Sequence, residues 1–243
     1  MKKKILSVAL AAALIAIMVS GSLAYFTAED QVDNTFTIGS VLIDIYENGE
    51  ATPNAAKALG KLTPIVNTDN PSADASYMKK AIQVKNTGAN DAYIRTHIAV
   101  PTALVDYLQL VFPEPLSGWT FVGQTAATVG PEATAYTVLT FDHTAAVNSG
   151  DFTSLLLQGV YLKSNVDLEA DADGNLVFIL RNAQGEKTHT SGFVAHTKNA
   201  DGTYTSATVN ILVASEAIQA QGFEGGATAA LNSGFGANNN PWQ

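Results

Sequence analysis

Apolar and polar side chains alternate along much of this chain, in short runs separated by turn-forming residues. From Val41 to Tyr46, Val41, Ile43 and Ile45 fall on one side of an extended backbone and Leu42, Asp44 and Tyr46 on the other. This two-residue period predicts a half-buried strand. Thr35–Ile38 reads the same way, as does Met78–Lys85, with Ile82 and Val84 on one face. Ala92–Val100 is a further strand, ended by Pro101. Trp119–Val122, Ala135–Phe141, Leu155–Lys163, Leu176–Arg181 and Tyr204–Val213 follow, with Gly, Asn, Asp or Pro in nearly every gap. Residues 47–76 carry Pro53, Pro64 and Pro71 and are expected to form a long loop, with a short helical turn at Ala55–Leu59. Thr102–Phe112 fits either a capped helix or a strand. Ala227–Phe235 alone has helical composition, and residues 237–243 read as a loose tail. Many short strands with few short helices predict an all-β fold, a sandwich or barrel. With no repeat and no linker visible, one domain is expected over residues 25–236.

Composition narrows the class. The chain has 243 residues, 47% hydrophobic and 14% charged, which excludes a disordered acidic tail or a coiled coil. It has no cysteine, so disulfides and thiolate metal sites are excluded. Its 13 basic and 22 acidic residues give a charge of −9 and offer no basic stripe for nucleic acid. A globular chain of this size buries roughly 70% of its unfolded surface, enough for a core without covalent help.

The start of the chain reads as an address. Lys2, Lys3 and Lys4 precede an uncharged run from Ile5 to Val19, followed by Ser20-Gly21-Ser22-Leu23-Ala24. This is the order of a signal peptide, predicted as an N-terminal helix, with Ser22 and Ala24 suited to a peptidase's small-residue pockets. Cleavage after Ala24 leaves Tyr25 as the new N-terminus. The rival is an uncleaved anchor, since Ile5–Ala24 spans 20 residues, just long enough for a bilayer. Cleavage at that point removes three lysines and no acid, leaving 10 basic against 22 acidic residues and a charge of −12. The membrane is then met only through the signal segment before cleavage.

Candidate chemistry is sparse. His97, His143, His189 and His196 are the only histidines, and no His-Glu-x-x-His helix is present. His189 and His196 flank Gly192 in an expected loop or hairpin. Glu169, Asp171 and Asp173 alternate as in a calcium loop, but in that register the twelfth place is Leu180 rather than Glu. The alternative is an Asp173-Gly174 turn joining two strands, with Leu176–Ile179 returning into the core. Neither a G-x-S-x-G elbow nor a phosphate loop exists. Trp119 and Tyr107 suit either a sugar-binding groove or the core, and Tyr93-Ile94-Arg95 is expected to pair inside the sheet. No cofactor, catalytic residue or designed metal site is assigned.

Several segments resemble one family. Leu23-Ala24-Tyr25-Phe26-Thr27, then Asn34–Gly39 and Val41–Asp44, are similar to the N-terminal signature of the TasA/camelysin group, secreted Gram-positive proteins processed by a SipW-type signal peptidase. Asn86-Thr87-Gly88 with Asn90–Arg95, Leu155–Tyr161 and Ala214–Ala220 resemble the same group. The resemblance implies a jelly-roll-like β-sandwich and secretion to the cell surface or extracellular matrix. It also implies assembly into fibres in which the freed N-terminal segment of one subunit adds as a strand to the next. Some members have carried a metalloendopeptidase label.

Strand donation is physically sensible here. A sandwich leaves edge strands with unpaired backbone groups, which an extended peptide can use. Tyr25, Phe26, Phe36 and Ile38 would be its apolar anchors and Thr27, Thr35 and Thr37 suit a pleated surface, while Glu29, Asp30, Asp33 and Asn34 would form a hinge. The alternatives are that residues 25–38 form the first strand of their own domain, or stay disordered. About six ladder bonds at ~1 kcal/mol net each, against association costs of similar size, leave the balance to the receiving groove. The expectation is therefore a non-enzymatic, self-assembling matrix or surface protein. A monomeric adhesion or carbohydrate-binding module and a metalloendopeptidase are the rival readings.

Overall fold

A computed structural model of the chain describes residues 27–29 (backbone only), 41–51, 62–129, 133–237 and 240–242. The strands are β1 (Thr27–Glu29), β2 (Ile43–Glu47), β3 (Glu50–Ala51), β4 (Met78–Asn86), β5 (Ala92–Pro101), β6 (Leu108–Val111) and β7 (Trp119–Val129). They continue as β8 (Thr134–His143), β9 (Leu157–Leu162), β10 (Val166–Ala170), β11 (Leu176–Arg181), β12 (Lys187–Lys198), β13 (Tyr204–Ser206) and β14 (Leu212–Gln219). Helix α1 (Ala227–Phe235) follows.

The strands form an all-β sandwich. One five-stranded sheet has the order β1-β14-β5-β8-β7, a second β3-β2-β4-β9-β6, and a four-stranded sheet β10-β11-β12-β13. All the strand pairs are antiparallel, as period-two sequences with one apolar face favour. The alternation does what it predicts: Val41, Ile43, Ile45, Ile82 and Val84 are buried, while Leu42 is 52% exposed. These residues meet Ile94, Ile98 and Val100 of β5 and Phe141 of β8 in one apolar cluster between the two larger sheets. Val166, Phe178 and Ala195 join it from the third sheet.

Central strand β5 is buried on both faces, and its sequence is apolar at both ends around the buried polar run Arg95-Thr96-His97. Its second face is covered from the C-terminal end. Ala227, Ala230 and Leu231 of α1 pack on Ile218, with Tyr93 beside them. Gly236, at φ +88°, ends this helix in a conformation that favours glycine.

Several expectations are corrected. Thr102–Phe112 is neither one helix nor one strand: a 3-10 turn at Thr102–Leu104 leads into β6. Trp119–Val122 is only the start of β7, which runs to Val129. The loop or hairpin expected around Gly192 is the continuous strand β12, whose irregular pairing with β11 hides its period. Tyr204–Val213 is divided between β13 and β14. The tail is not loose where it is described, because Asn240 is buried and the Trp242 ring stands edge-on to His97. The Ala55–Leu59 turn and Thr35–Ile38 strand lie outside the described residues.

Candidate functional site: the β14 edge and its polar neighbour

Strand β14 has two unlike edges. Its inner edge pairs with β5 through eight consecutive positions, from Leu212↔Ala99 to Gln219↔Ala92. Its outer edge carries β1 in a short register, Thr27↔Ile218, Ala28↔Ala217 and Glu29↔Glu216. Leu212–Ser215 therefore have no strand partner on the outer side among the described residues. Continued in the same register, residues 30–33 would reach Ser215 to Leu212 and Phe26 would reach Gln219. Glu29, expected in a hinge, is the last residue of β1. The anchors Tyr25, Phe26, Phe36 and Ile38 lie outside the described residues, as do the cleavage residues Ser22 and Ala24.

On the α1-covered face, a polar layer crosses β14, β5 and β8. The registers put Glu216 opposite Arg95 and Arg95 opposite Asp142. Arg95 donates from Nε to Asp142 Oδ1 at 2.7 Å and from Nη2 to Oδ2 at 3.0 Å, a forked pair. It also donates to the Gly236 carbonyl and to Asn232 Oδ1, both at 2.7 Å. In the next row His97 Nδ1 lies 3.0 Å from Thr140 Oγ1, and Nε2 lies 3.5 Å from Glu216 Oε2. Arg95, His97, Asp142 and Glu216 are each no more than 1% exposed. Buried charge is tolerated only when paired and hydrogen-bonded, which this arrangement supplies. The layer is an internal clamp between the sheet and its C-terminal cover, not a reactive cleft.

Sequence reasoning places Arg95 inside the sheet but misses the clamp. The available signal was the polar run Arg95-Thr96-His97 in the middle of a strand whose flanking positions are largely apolar. Its partners lie 47 and 137 residues away, beyond any local motif.

The other singled-out residues do not converge. Glu169 pairs with Lys187, while Asp171 accepts from the backbone N–H groups of Asp173 and Asn175. The Glu169 and Asp171 carboxylates and the Asp173 backbone thus serve a β10–β11 hairpin, with Gly174 at φ +80° in its turn. His189 packs near Tyr107, and His196 Nδ1 lies 3.0 Å from Ser206 Oγ. The two histidines stand opposite Leu180 and Leu176 of β11, which at ~3.3 Å per residue sets them roughly 13 Å apart, too far to share one metal ion. His143 donates from Nδ1 to the Ala145 carbonyl at 2.8 Å, and Nε2 accepts from Ser154 N–H at 3.4 Å. Burial pushes its pKa below the ordinary value, against the opposing effect of the Ala145 bond. Among the described residues no three His, Asp or Glu side chains are grouped to hold a metal ion. Trp119 and Tyr107 are 5% and 1% exposed, so both are core residues.

Comparisons with protein-family models, with curated proteins and with solved structures find no match for this chain.

Proposed function

We propose that this chain is a secreted structural protein that self-associates by passing its N-terminal strand to the β14 edge of a neighbouring copy. The observation that carries the reading is the mismatch at that edge. An eight-residue strand fixed along its inner side holds, among the described residues, a partner of three residues on its outer side. Over three paired residues, ladder bonds at ~1 kcal/mol net each are matched by ordering costs of about 1–2 kcal/mol per residue. Strand β1 is thus weakly committed to its own chain. Moving it to a neighbour exchanges the same bonds, the condition for a low-cost swap. A longer donated segment, in register from Phe26 to Asp33, would cover β14 from Gln219 to Leu212. The donor needs a free N-terminus, so processing after Ala24 by a SipW-type signal peptidase would control assembly. The signal-peptide reading and the family resemblance support secretion to the surface or matrix of a Gram-positive cell.

The absence of cysteine makes the test direct. Chains carrying Ala28→Cys alone and Ala217→Cys alone are mixed after secretion and oxidised. Donation between copies yields a covalent heterodimer, and deletion of residues 25–34 abolishes filaments in electron micrographs. Filaments of undiminished length after that deletion, or a disulfide that forms only when both cysteines share one chain, would refute the reading. The second result would leave a self-contained monomer, as an adhesion or carbohydrate-binding module requires.

A further inference from the structure

The six sheet-edge strands are not equally protected. Among the described residues five are short or acidic: β1, β3, β6 and β13 span three, two, four and three residues, and β10 (Val166–Ala170) carries Asp167 and Glu169. Short or charged edges are how sheet proteins avoid pairing with other chains. Strand β7 breaks this pattern. It is an eleven-residue edge, WTFVGQTAATV, with no charge and no proline. Its inner side pairs with β8 from Trp119↔His143 to Val129↔Thr134, and its outer side has no strand partner among the described residues. The one protective device is a bulge between Phe121 and Gly123, which leaves Gly123–Val129 regularly paired.

We infer that β7 is a homotypic contact, at which a second copy of this chain adds its own β7 antiparallel about a two-fold axis. Charge identifies the occupant. Two copies each bearing −9 repel one another over most of their surfaces. They meet at least cost where neither presents a charge. An antiparallel self-pair is also complementary by construction, because residue i meets j wherever j meets i. Gln124, Ala126 and Thr128 share one exposed side of the strand, so their counterparts would lie across the junction on one continuous surface. The contact closes at two copies, and it uses the opposite edge of the β1-β14-β5-β8-β7 sheet from strand donation. It therefore stands independently of the proposed function. Where both operate, it would tie one head-to-tail filament to another.

The test uses the full chain in mild detergent, followed by analytical ultracentrifugation over a concentration series. The wild-type chain is expected to show a monomer–dimer equilibrium. Ala126→Lys should raise the dimer dissociation constant by at least ~10-fold, since it places a charge on both edges of the pair. Ala126→Thr, which keeps strand propensity, should leave it unchanged. Single cysteines at Gln124, Ala126 or Thr128 provide a second reading. At least one of them should form covalent dimers ~10-fold or more faster than a cysteine at exposed Gln184, through high effective concentration. A chain that stays monomeric, cross-linking no faster on β7 than at Gln184, or association that survives Ala126→Lys but is lost on deleting residues 25–34, would overturn the inference. The last result would assign association to strand donation alone.

Discussion

Asp142→Ala is expected to be among the most damaging single truncations in this domain. It removes both carboxylate oxygens from Arg95, whose side chain is 0% exposed, and leaves the guanidinium bonded to the Gly236 carbonyl and Asn232, with Glu216 opposite it in the sheet register. Breaking a buried pair from one side costs about 3–5 kcal/mol, because the remaining charge loses its forked carboxylate partner. Neither partner is solvent-screened, so the estimate needs no discount for exposure. With a urea m-value near ~3 kcal/mol/M, the unfolding midpoint should fall by about 1–1.7 M.

Asn232→Ala, which removes one charge-assisted bond at 2.7 Å, should cost less, about 1.5–3 kcal/mol. The double variant Arg95→Ala/Asp142→Ala should cost less than the sum of its parts by roughly 2–3 kcal/mol, since the second change removes the orphaned charge. Urea titration followed by far-ultraviolet circular dichroism measures all of these. A midpoint for Asp142→Ala within ~0.3 M of wild type (about 1 kcal/mol), or strict additivity in the cycle, would show that the pair does not carry its charge in a closed interior.

Other expectations follow from close packing and from burial. A Cβ at Gly159 of β9 would lie 2.2 Å from Tyr77 Oη and 2.8 Å from the Met78 carbonyl, so Gly159→Ala should destabilise by about 1–3 kcal/mol, measured by thermal unfolding. His143 has a folded-state pKa below its ordinary 6.5, so the unfolded chain binds more protons between those values. Its stabilising effect is complete above pH ~6.5 and declines as pH falls below it. Unfolding at pH 7.5 and 5.5 should show this loss, and His143→Gln should shrink it. Asp74, Asp167 and Asp201 have carboxyl pKa values lowered from 3.8 by hydrogen bonds, so their contributions are lost only in stronger acid, outside that window.

What could be read from the sequence was what local periodicity encodes. Strands β2 and β4 each bury one face, and that face is visible as every second residue. The β10–β11 hairpin was signalled by Asp173-Gly174, and α1 by its composition. Strand β12 escaped because its exposed first half and bulged pairing leave no alternation. Most of β7 escaped because Gly123–Thr128 contains no large apolar residue to mark a face. The clamp was not legible for a different reason. Whether a lone arginine in a strand faces solvent or a buried aspartate depends on what later chain covers it, and that cover arrives with Asn232 and Gly236.

The clamp also bears on assembly. A receiving edge binds best when it is ordered before the donor arrives, since any ordering paid on binding subtracts from affinity. Strand β14 meets this condition without β1. Eight pairs to β5 fix its backbone, Ile218 lies beneath α1, and Glu216 lies in the layer that Arg95 organises. None of these contacts involves β1. The ordering cost of exchange then falls almost wholly on the incoming segment, whose length in register decides how far it outcompetes three cis pairs. Loosening the clamp should therefore weaken the acceptor and leave the donor untouched, so the two halves of the swap are separable in a mixture of variant and wild-type chains.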